Sequence, residues 1–386
     1  MIEEDNFDVE DTSQPERTKL FHLLEAAWPL PVDEFLPLAY PFSPTDHVFT
    51  DARIVVREDE PSSIIAFTLD SQNYREQLAD SRNGRSDAPL TELRHADGSH
   101  YLYEFDTETI KLWCKIFFAE QFDALRHMCG CAEQFVQSLS RCFKWDSRGG
   151  KSGSAFLKTR DDRFVVKQLS RTELDGFSKF APQYFTYLAD CQSASRPTAL
   201  TKIFGYFRIG FKNTHTGRSF KMDFMVMENL LYGRSVDRIF DLKGSTRHRF
   251  VQENGQPHEV LQDENLMQLA QSSPLLVREH SKRILRTALH NDSLFLTEMN
   301  VMDYSLIMAL DTSRNKMVIG IIDYLRTYTW DKRVESFVKE TAILGGGGKG
   351  EPTIITPRQY RMRFLTFLDR NILMTPDPWI QSGWVQ

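Results

Sequence analysis

The stretch "GGKSGSAFLKTRDDRFVVK", residues 149–167, decides the fold of this chain because it joins a glycine-rich turn to two short apolar runs. The first apolar run covers residues 155–157 and the second covers residues 164–167, with the polar letters KTRDD between them. Apolar run, polar turn and apolar run together form the pattern of a β-hairpin. The sequence therefore predicts a glycine turn followed by a hairpin whose second strand ends at Lys167.

Part of the same stretch matches the end of the phosphate-binding loop motif G-x-x-x-x-G-K-[ST], through Gly150, Lys151 and Ser152. That motif requires a glycine five residues before Gly150, and this chain has Trp145 there. The motif also requires a helix that begins at the Lys-Ser pair and holds the phosphates at its N-terminus. The following residues favour a hairpin, so the phosphate-binding loop is rejected.

A glycine turn that leads to a lysine on an apolar strand is also how kinases cover ATP. Backbone N–H groups lie over the phosphates, and the lysine reaches the phosphate oxygens. We therefore predict that Gly149, Gly150 and Gly153 lie over the nucleotide and that Lys167 is the phosphate lysine. An ordinary surface loop is the alternative if no other part of the chain agrees.

Length and composition limit the class of protein. A chain of 386 residues exceeds the size at which one hydrophobic core stops growing, so two lobes are expected. No apolar run approaches the roughly 18 residues of a membrane span, and no signal peptide opens the chain. Five scattered cysteines suit a reducing compartment, and Cys129, Cys131 and Cys142 lack the second ligand pair of a zinc site. These features predict a soluble cytoplasmic protein.

The charge is unevenly distributed along the chain. Residues 1–16 hold seven acids and no bases, and the total charge is −6, so the remainder carries about +1. The acidic residues 1–20 are predicted to be a disordered tail. Basic clusters lie elsewhere: Arg160, Arg163, Lys167 and Arg171; Arg238, Lys243, Arg247 and Arg249; Lys332 and Arg333. If they share one face, they attract an anionic membrane or a phosphorylated ligand.

Two lobes can be assigned from the hydrophobic pattern. Residues 40–230 combine strands and helices: alternation in 109–118 places Ile110, Leu112, Cys114 and Ile116 on one face, and further strands are predicted in 200–211 and 221–230. The polar residues 79–100 are predicted to be a long loop. Residues 231–386 form the second lobe, with a helix in 281–299, a strand in 316–324 and a helix that begins with Thr356 as its N-cap.

Two acids follow the hairpin lysine in the order in which kinases carry their two catalytic-site aspartates. Asp303 precedes the apolar strand "LIMAL", as a catalytic-loop carboxylate does, and Asp323 ends the strand "GIID", where a carboxylate holds Mg²⁺. Met227 belongs to the apolar hinge "MVMEN" and is predicted to contact the nucleotide. Each acid alone could simply cap a turn or end a strand. The order of glycine turn, lysine, hinge and two acids favours a kinase.

Three strings identify a family: "FDLKGSTRHR" (240–249), "NVMDYSLIM" (300–308) and "GIIDYLRTYTWDKRVE" (320–335). They resemble the phosphatidylinositol phosphate kinases, and the sequence from 147 onwards is most similar to catalytic domains of the PIKfyve type, the phosphatidylinositol 3-phosphate 5-kinases. The resemblance implies an α+β bilobal kinase-like fold with an antiparallel-sheet N-lobe and a mixed α/β C-lobe. It also implies an activation segment, 324–356, that selects the lipid headgroup.

The resemblance assigns roles to the candidate residues. It implies that Lys167 binds ATP, Asp303 is the catalytic carboxylate, Asp323 binds Mg²⁺, and Lys243 lies near the transferred phosphate or the headgroup. Arg247 and Lys349 are further candidates for the lipid phosphate. The acid that pairs with Lys167 is left open between Glu173 and Asp175.

The implied reaction is ATP-dependent phosphorylation of the 5-hydroxyl of phosphatidylinositol 3-phosphate on endosomal or vacuolar membranes. The predicted partners are ATP and a phosphoinositide at a membrane surface, with no nucleic acid. The alternatives are a phosphatidylinositol 4-phosphate 5-kinase, an idle phosphoinositide-binding scaffold and, least favoured, a protein kinase. The FYVE zinc finger of PIKfyve-type enzymes needs more cysteines than this chain has, so we expect either a piece of a longer protein or a short relative.

Overall fold

Two sheets of different construction organise the chain, as a computed structural model describes it for residues 42–82, 89–95, 98–145, 155–255, 259–325 and 355–376. The strands are β1 Asp46–His47, β2 Val56–Arg57, β3 Tyr101–Asp106, β4 Ile110–Ile116, β5 Cys142–Trp145, β6 Phe156–Thr159, β7 Phe164–Gln168, β8 Ile203–Asn213, β9 Ser219–Glu228, β10 Arg238–Leu242, β11 Val260–Leu261, β12 Leu275–Arg278, β13 Ser305–Asp311, β14 Lys316–Ile322 and β15 Ile372–Thr375. The helices are α1 Ser62–Asp70, α2 Gln72–Arg82, α3 Pro89–Leu93, α4 Ala119–Met128, α5 Ala132–Leu139, α6 Arg171–Ser193, α7 Asp263–Ser272, α8 Glu279–Glu298 and α9 Pro357–Asn371.

The first sheet has seven strands in the order β3-β4-β8-β9-β7-β6-β5, and every neighbouring pair is antiparallel. In β4 the side chains of Ile110, Leu112, Cys114 and Ile116 are all buried, as their alternation predicted. Strands β6 and β7 form the predicted hairpin, in which Phe156 pairs with Lys167. The antiparallel sheet of the N-lobe is confirmed.

Helix α6 starts directly after the hairpin because Ser170 caps it. The Ser170 hydroxyl accepts a hydrogen bond from the Glu173 N–H, and the Glu173 carboxylate accepts one from the Ser170 N–H. This reciprocal capping box satisfies two backbone donors at the start of the helix. The buried side of α6 carries Phe177, Tyr184 and Phe185, of which Phe177 packs on Tyr206 of β8. The capping box therefore fixes Glu173 on the first turn, next to the end of β7.

The second sheet has the order β11-β10-β13-β14 and is mixed: β10 pairs in parallel with β11 and antiparallel with β13, which pairs antiparallel with β14. Its buried residues Ile239, Ala309 and Val318 pack against Leu230 and Leu231, which follow β9. Strands β12 and β15 form a separate parallel ribbon. Helices α8 and α9 complete this half, so the α+β fold with a mixed C-lobe is confirmed.

The two sheets are connected near the end of β14. Leu200 forms a parallel bridge with Ile321, in which the Thr201 N–H donates to the Ile321 carbonyl at 3.0 Å. The buried Asp292 of α8 supports this bridge by accepting a hydrogen bond from the Ala199 N–H at 2.6 Å. The end of β14 therefore keeps a fixed position relative to the first sheet, and the described residues from 46 to 376 belong to one compact unit.

One expectation about local structure was wrong. Residues 79–100 were predicted to be a long loop, but α2 continues through residue 82 and α3 occupies Pro89–Leu93. The polar, turn-rich composition concealed Leu90 and Leu93, of which Leu93 is buried in the core. The predicted glycine turn at 149–153, residues 326–354 of the predicted activation segment 324–356, including Lys349, and the acidic tail lie outside the described residues. In the described part of the chain, no helix is both long enough and apolar enough to cross a bilayer.

Candidate active site

The register of the second sheet brings three candidate residues to one end. Leu242 pairs with Leu306, and Ser305 pairs with Ile322. Lys243 follows the end of β10, Asp303 precedes the start of β13, and Asp323 follows the end of β14. Because neighbouring strands here are antiparallel, the end of β10, the start of β13 and the end of β14 coincide.

Lys167 is the buried cation of the site. Only 3% of its surface is exposed, and its Nζ lies 2.9 Å from Asp323 Oδ1 and 3.3 Å from Glu173 Oε1. A lysine at this depth requires anionic partners because removing its charge from water is costly. The contact with Asp323 crosses from the first sheet to the second. Lys167 and Asp323, predicted separately from distant parts of the sequence, are therefore brought together.

The question of which acid pairs with Lys167 is answered in favour of Glu173. Burial by itself raises the pKa of the Glu173 carboxyl, but the Lys167 ammonium and the hydrogen bonds from Ser170 outweigh burial and leave the pKa below its ordinary value. Glu173 therefore stays ionised at neutral pH. Asp175 lies further along α6 and is exposed. The pattern S-x-x-E after the lysine strand places Glu173 on the first turn of α6, and the pairing of Glu173 with Lys167 is seen in the structure.

Both aspartates of the site have left-handed backbone conformations. The φ angle is +66° at Asp303 and +58° at Asp323. Aspartate visits this region more readily than most residues, but a single such residue still requires support from its surroundings. The side chains remain accessible, with 51% of the Asp303 side chain and 41% of the Asp323 side chain exposed. The exposed Asp51 and Asp162 share this conformation, so the contacts of Asp303 and Asp323, and not their φ angles, mark the site.

Lys243 is paired with Asp303. Its Nζ donates to Asp303 Oδ1 at 2.9 Å and to the Asp303 backbone carbonyl at 2.7 Å. The aromatic side chains of α9 support the loop that carries Asp303, since the Tyr360 hydroxyl donates to the Tyr304 carbonyl. The site thus contains two lysine–aspartate pairs, Lys167 with Asp323 and Lys243 with Asp303.

The turn that carries Lys243 depends on the next residue, Gly244. Its φ angle is +73°, and a Cβ atom at this position would lie 2.7 Å from the Cα atom of Phe364 in α9. Only glycine lets the turn approach the backbone of α9 this closely. This requirement accounts for the glycine of the D-L-K-G-S string.

Gly244→Ala is expected to lower the free energy of unfolding by about 2–4 kcal/mol, from the left-handed backbone and the overlap with α9. Urea unfolding followed by fluorescence measures the loss. Gly255→Ala is the matched control, because Gly255 has φ +67° and no atom of the described residues lies within 4 Å of the added Cβ. The control should lose only about 1 kcal/mol from the backbone conformation. Equal losses in the two variants would contradict the close approach to α9.

Two residues that hold this turn were not predicted as site residues. Asp263, at the start of α7, accepts hydrogen bonds from the Lys243 and Gly244 N–H groups at 3.0 and 2.7 Å. Arg249 donates to Asp263 Oδ2 at 2.7 Å and to Asp241 Oδ1 at 2.9 Å. Arg249 was noted only as part of a basic cluster. No spacing pattern indicates Asp263, because it lies 19 residues from Gly244 in the sequence.

The remaining described candidates lie around these pairs. Met227 occupies β9, where it pairs with Val165 of the hairpin, and its side chain is half-buried. Arg247 is exposed and follows the turn of Lys243. Gly149, Gly150, Gly153 and Lys349 lie outside the described residues, so their places relative to the site stay predictions.

A magnesium ion fits the donor set at Asp323. Mg²⁺ binds through one or two carboxylates together with substrate phosphates, without a dedicated protein cage. Among the described residues, no three His, Cys, Asp or Glu side chains form a group that could hold a metal. The accessible carboxylate of Asp323 agrees with a magnesium site of one or two carboxylates that substrate phosphates complete. Partial burial raises the pKa of the Cys131 thiol to about 12, so this thiol is protonated at neutral pH.

The site defines a protein of the kinase-fold class. It combines Lys167 of the β6–β7 hairpin and its partner Glu173 of α6 with two aspartates, Asp303 and Asp323, at the open end of the β13–β14 hairpin. Residues 138–318 and 311–371 match the family model described as Phosphatidylinositol-4-phosphate 5-Kinase. The chain belongs to this family of phosphatidylinositol phosphate kinases.

Several curated relatives are similar over most of the chain. The 1-phosphatidylinositol 3-phosphate 5-kinase FAB1 of Saccharomyces cerevisiae is 39% identical over 97% of this chain and 20% of the yeast protein. The human 1-phosphatidylinositol 3-phosphate 5-kinase is 44% identical over 76% of this chain and 14% of the human protein. The Arabidopsis thaliana enzyme FAB1A is 38% identical over 87% of this chain and 22% of its own length. The chain thus spans about a fifth or less of the length of these relatives.

Proposed function

We propose that the chain phosphorylates the 5-hydroxyl of phosphatidylinositol 3-phosphate with ATP and gives phosphatidylinositol 3,5-bisphosphate. The observation that carries the proposal is the contact of Lys167 with both Glu173 and Asp323 in a chain similar to relatives named for this reaction. Phosphoryl transfer needs cations at the phosphates and carboxylates for the metal and the hydroxyl, and the site contains both kinds of group.

On the nucleotide side, Lys167 binds the ATP phosphates and Glu173 keeps its ammonium oriented. Gly149, Gly150 and Gly153 cover the phosphates with backbone N–H groups, and Met227 contacts the base. Asp323 holds Mg²⁺, which when bound neutralises charge that develops on the phosphate oxygens.

On the lipid side, Asp303 orients the inositol hydroxyl and accepts its proton. Lys243 lies against Asp303 and attracts the phosphoryl group during transfer. Arg247 and Lys349 bind the 3-phosphate. Positioning of the hydroxyl contributes more than its deprotonation, because the transition state is loose.

The reaction requires the site to face a membrane, because the inositol hydroxyl lies at the level of the lipid headgroups. We propose peripheral binding to anionic endosomal or vacuolar membranes through Lys243, Arg247, Lys332 and Lys349. Each cation near the surface contributes on the order of 1 kcal/mol, screened within a Debye length. Binding to anionic vesicles should therefore weaken steeply as salt concentration rises.

Lipid phosphorylation on vesicles tests the proposal. Phosphatidylinositol 3-, 4- and 5-phosphates are offered separately with radiolabelled ATP, and the ring position of the product is determined. We expect product from the 3-phosphate, phosphorylated at the 5-hydroxyl. Chelation of Mg²⁺ with excess EDTA should abolish the product.

The family model carries the name of a 4-phosphate kinase, which makes phosphatidylinositol 4-phosphate the second candidate substrate. Product mainly from that lipid would keep the site and replace the substrate. Vesicle binding without product from any lipid would overturn the proposal in favour of a phosphoinositide-binding scaffold.

A further inference from the structure

The carboxylate of Asp263, near the site, accepts hydrogen bonds at both of its oxygens. The proposed reaction assigns no role to it. None of its surface is exposed. Its Oδ1 accepts hydrogen bonds from the N–H groups of Lys243, Gly244 and Ser245, at 3.0, 2.7 and 3.3 Å. Its Oδ2 accepts a hydrogen bond from Arg249 Nε at 2.7 Å. Three consecutive backbone donors thus converge on one buried oxygen.

A buried carboxylate of this kind is stable only while all of these donors remain in place. Charge-assisted hydrogen bonds are about twice as strong as neutral ones, and an ionised group without partners is very costly to bury. Arg249 adds a second connection, since it also donates to the carbonyl and to the carboxylate of Asp241 in β10. The turn is therefore held by hydrogen bonds that involve Asp263 and Arg249, and Gly244 lets it pack closely against α9.

The side chain that this turn presents is Lys243, which contacts Asp303 through two hydrogen bonds. A lysine has four rotatable bonds, so its ammonium keeps one position only if its backbone does not move. The connected contacts run from Asp263 to the backbone of Lys243 and from its ammonium to Asp303.

We propose that Asp263 is a positioning residue, which holds Lys243 against Asp303 and so sets the geometry of phosphoryl transfer without touching either substrate. This inference rests on the proposed function of Lys243 and Asp303. Asp263 lies at the start of α7, outside the D-L-K-G-S and M-D-Y-S-L strings. It would control the position of Lys243, through which the two strings are in contact.

Asp263→Asn tests the proposal, because asparagine has a similar shape but loses the charge and one acceptor oxygen. Per folded molecule, kcat is expected to fall about 10–100-fold, the cost of a displacement of about 1 Å in a catalytic group. The KM for ATP should stay unchanged, because Lys167, Glu173 and Asp323 keep their contacts. Arg249→Gln, which leaves Asp263 in place, should lower kcat less and in the same direction; it replaces Asp263→Asn if that variant does not fold.

The matched control is Asp311→Asn. Asp311 is also buried, and it accepts the Arg314 N–H at the far end of β13 from Asp303. The control is expected to lower thermal stability and to leave kcat unchanged. If Asp263→Asn behaves in the same way, Asp263 only stabilises the fold, and the proposal is overturned.

Two further measurements separate positioning from general disruption. In a Lys243→Met background, Asp263→Asn should lower kcat by no more than about twofold, because residues that act through one another are not additive. Acetylation by a limiting amount of an amine-reactive acetylating reagent is followed by mass spectrometry. It should be severalfold faster at Lys243 in Asp263→Asn than in the parent. Lys282, which is buried against the carbonyl of Ile372, should react at the same rate in both.

The acetylation measurement needs no lipid kinase activity, so it distinguishes the two proposals. A parent protein without lipid product, combined with faster acetylation of Lys243 in the variant, would remove the proposed function and keep the positioning. Unchanged acetylation, or full additivity with Lys243→Met, would overturn the positioning itself.

Discussion

Replacing Asp303 with asparagine is expected to lower lipid phosphorylation by about 10²–10⁴-fold, the range that a positioned acid–base group contributes. Asparagine tolerates the left-handed backbone of Asp303, so the variant removes the charge and leaves the loop intact. ATP affinity should stay within about twofold of the parent, because the nucleotide contacts are those of Lys167 and Asp323. Turnover on vesicles and ATP binding by calorimetry measure the two effects.

Asp51→Asn is the matched control for this substitution. Asp51 also has a left-handed backbone, with φ +62°, and it is exposed. The same change of charge in the same conformation should leave turnover unchanged. Equal weakening of ATP binding in Asp303→Asn and Lys167→Met would tell against the division of the site into a nucleotide side and a lipid side.

Replacing Lys167 with methionine is expected to abolish measurable lipid phosphorylation and to weaken ATP binding by at least about tenfold, since the phosphates lose their buried cation. The fold should also become less stable by roughly 3 kcal/mol, because Glu173 would remain buried without its cation. Thermal unfolding in the absence of nucleotide measures the stability, and calorimetry measures the nucleotide.

The double variant Lys167→Met with Glu173→Gln separates these two effects. Removing the charge of Glu173 should restore most of the lost stability, while ATP binding stays weak. Lys158→Met is a control from the same hairpin, where Lys158 pairs with the exposed Asp162 at 2.8 Å. A surface pair contributes about 1 kcal/mol or less, so this variant should fold and bind ATP normally. Weak ATP binding in Lys158→Met as well would mean that the hairpin as a whole, and not Lys167, binds the nucleotide.

The local elements and the chemical candidates could be predicted from the amino-acid sequence alone. Alternation predicted the buried face of β4, and the order of apolar run, polar turn and apolar run predicted the hairpin of β6 and β7. Thr356 and Pro357 predicted the start of α9, where the capping box is present. These signals are local, because each depends on the side-chain period of one element or on the backbone groups at its end. The strings around Lys243, Asp303 and Asp323 are also local, and their resemblance to the family could be recognised without the structure.

Which of these residues contact one another became visible in the folded chain. The sequence left Glu173 and Asp175 open, and the contact of Glu173 with Lys167 separates them. It gave no sign that Asp263 holds the turn of Lys243, because a carboxylate can accept N–H groups from any part of the chain that folding brings to it. Hydrogen bonds and ion pairs depend on distance in space, and 156 residues of sequence separate the two partners of the Lys167–Asp323 pair.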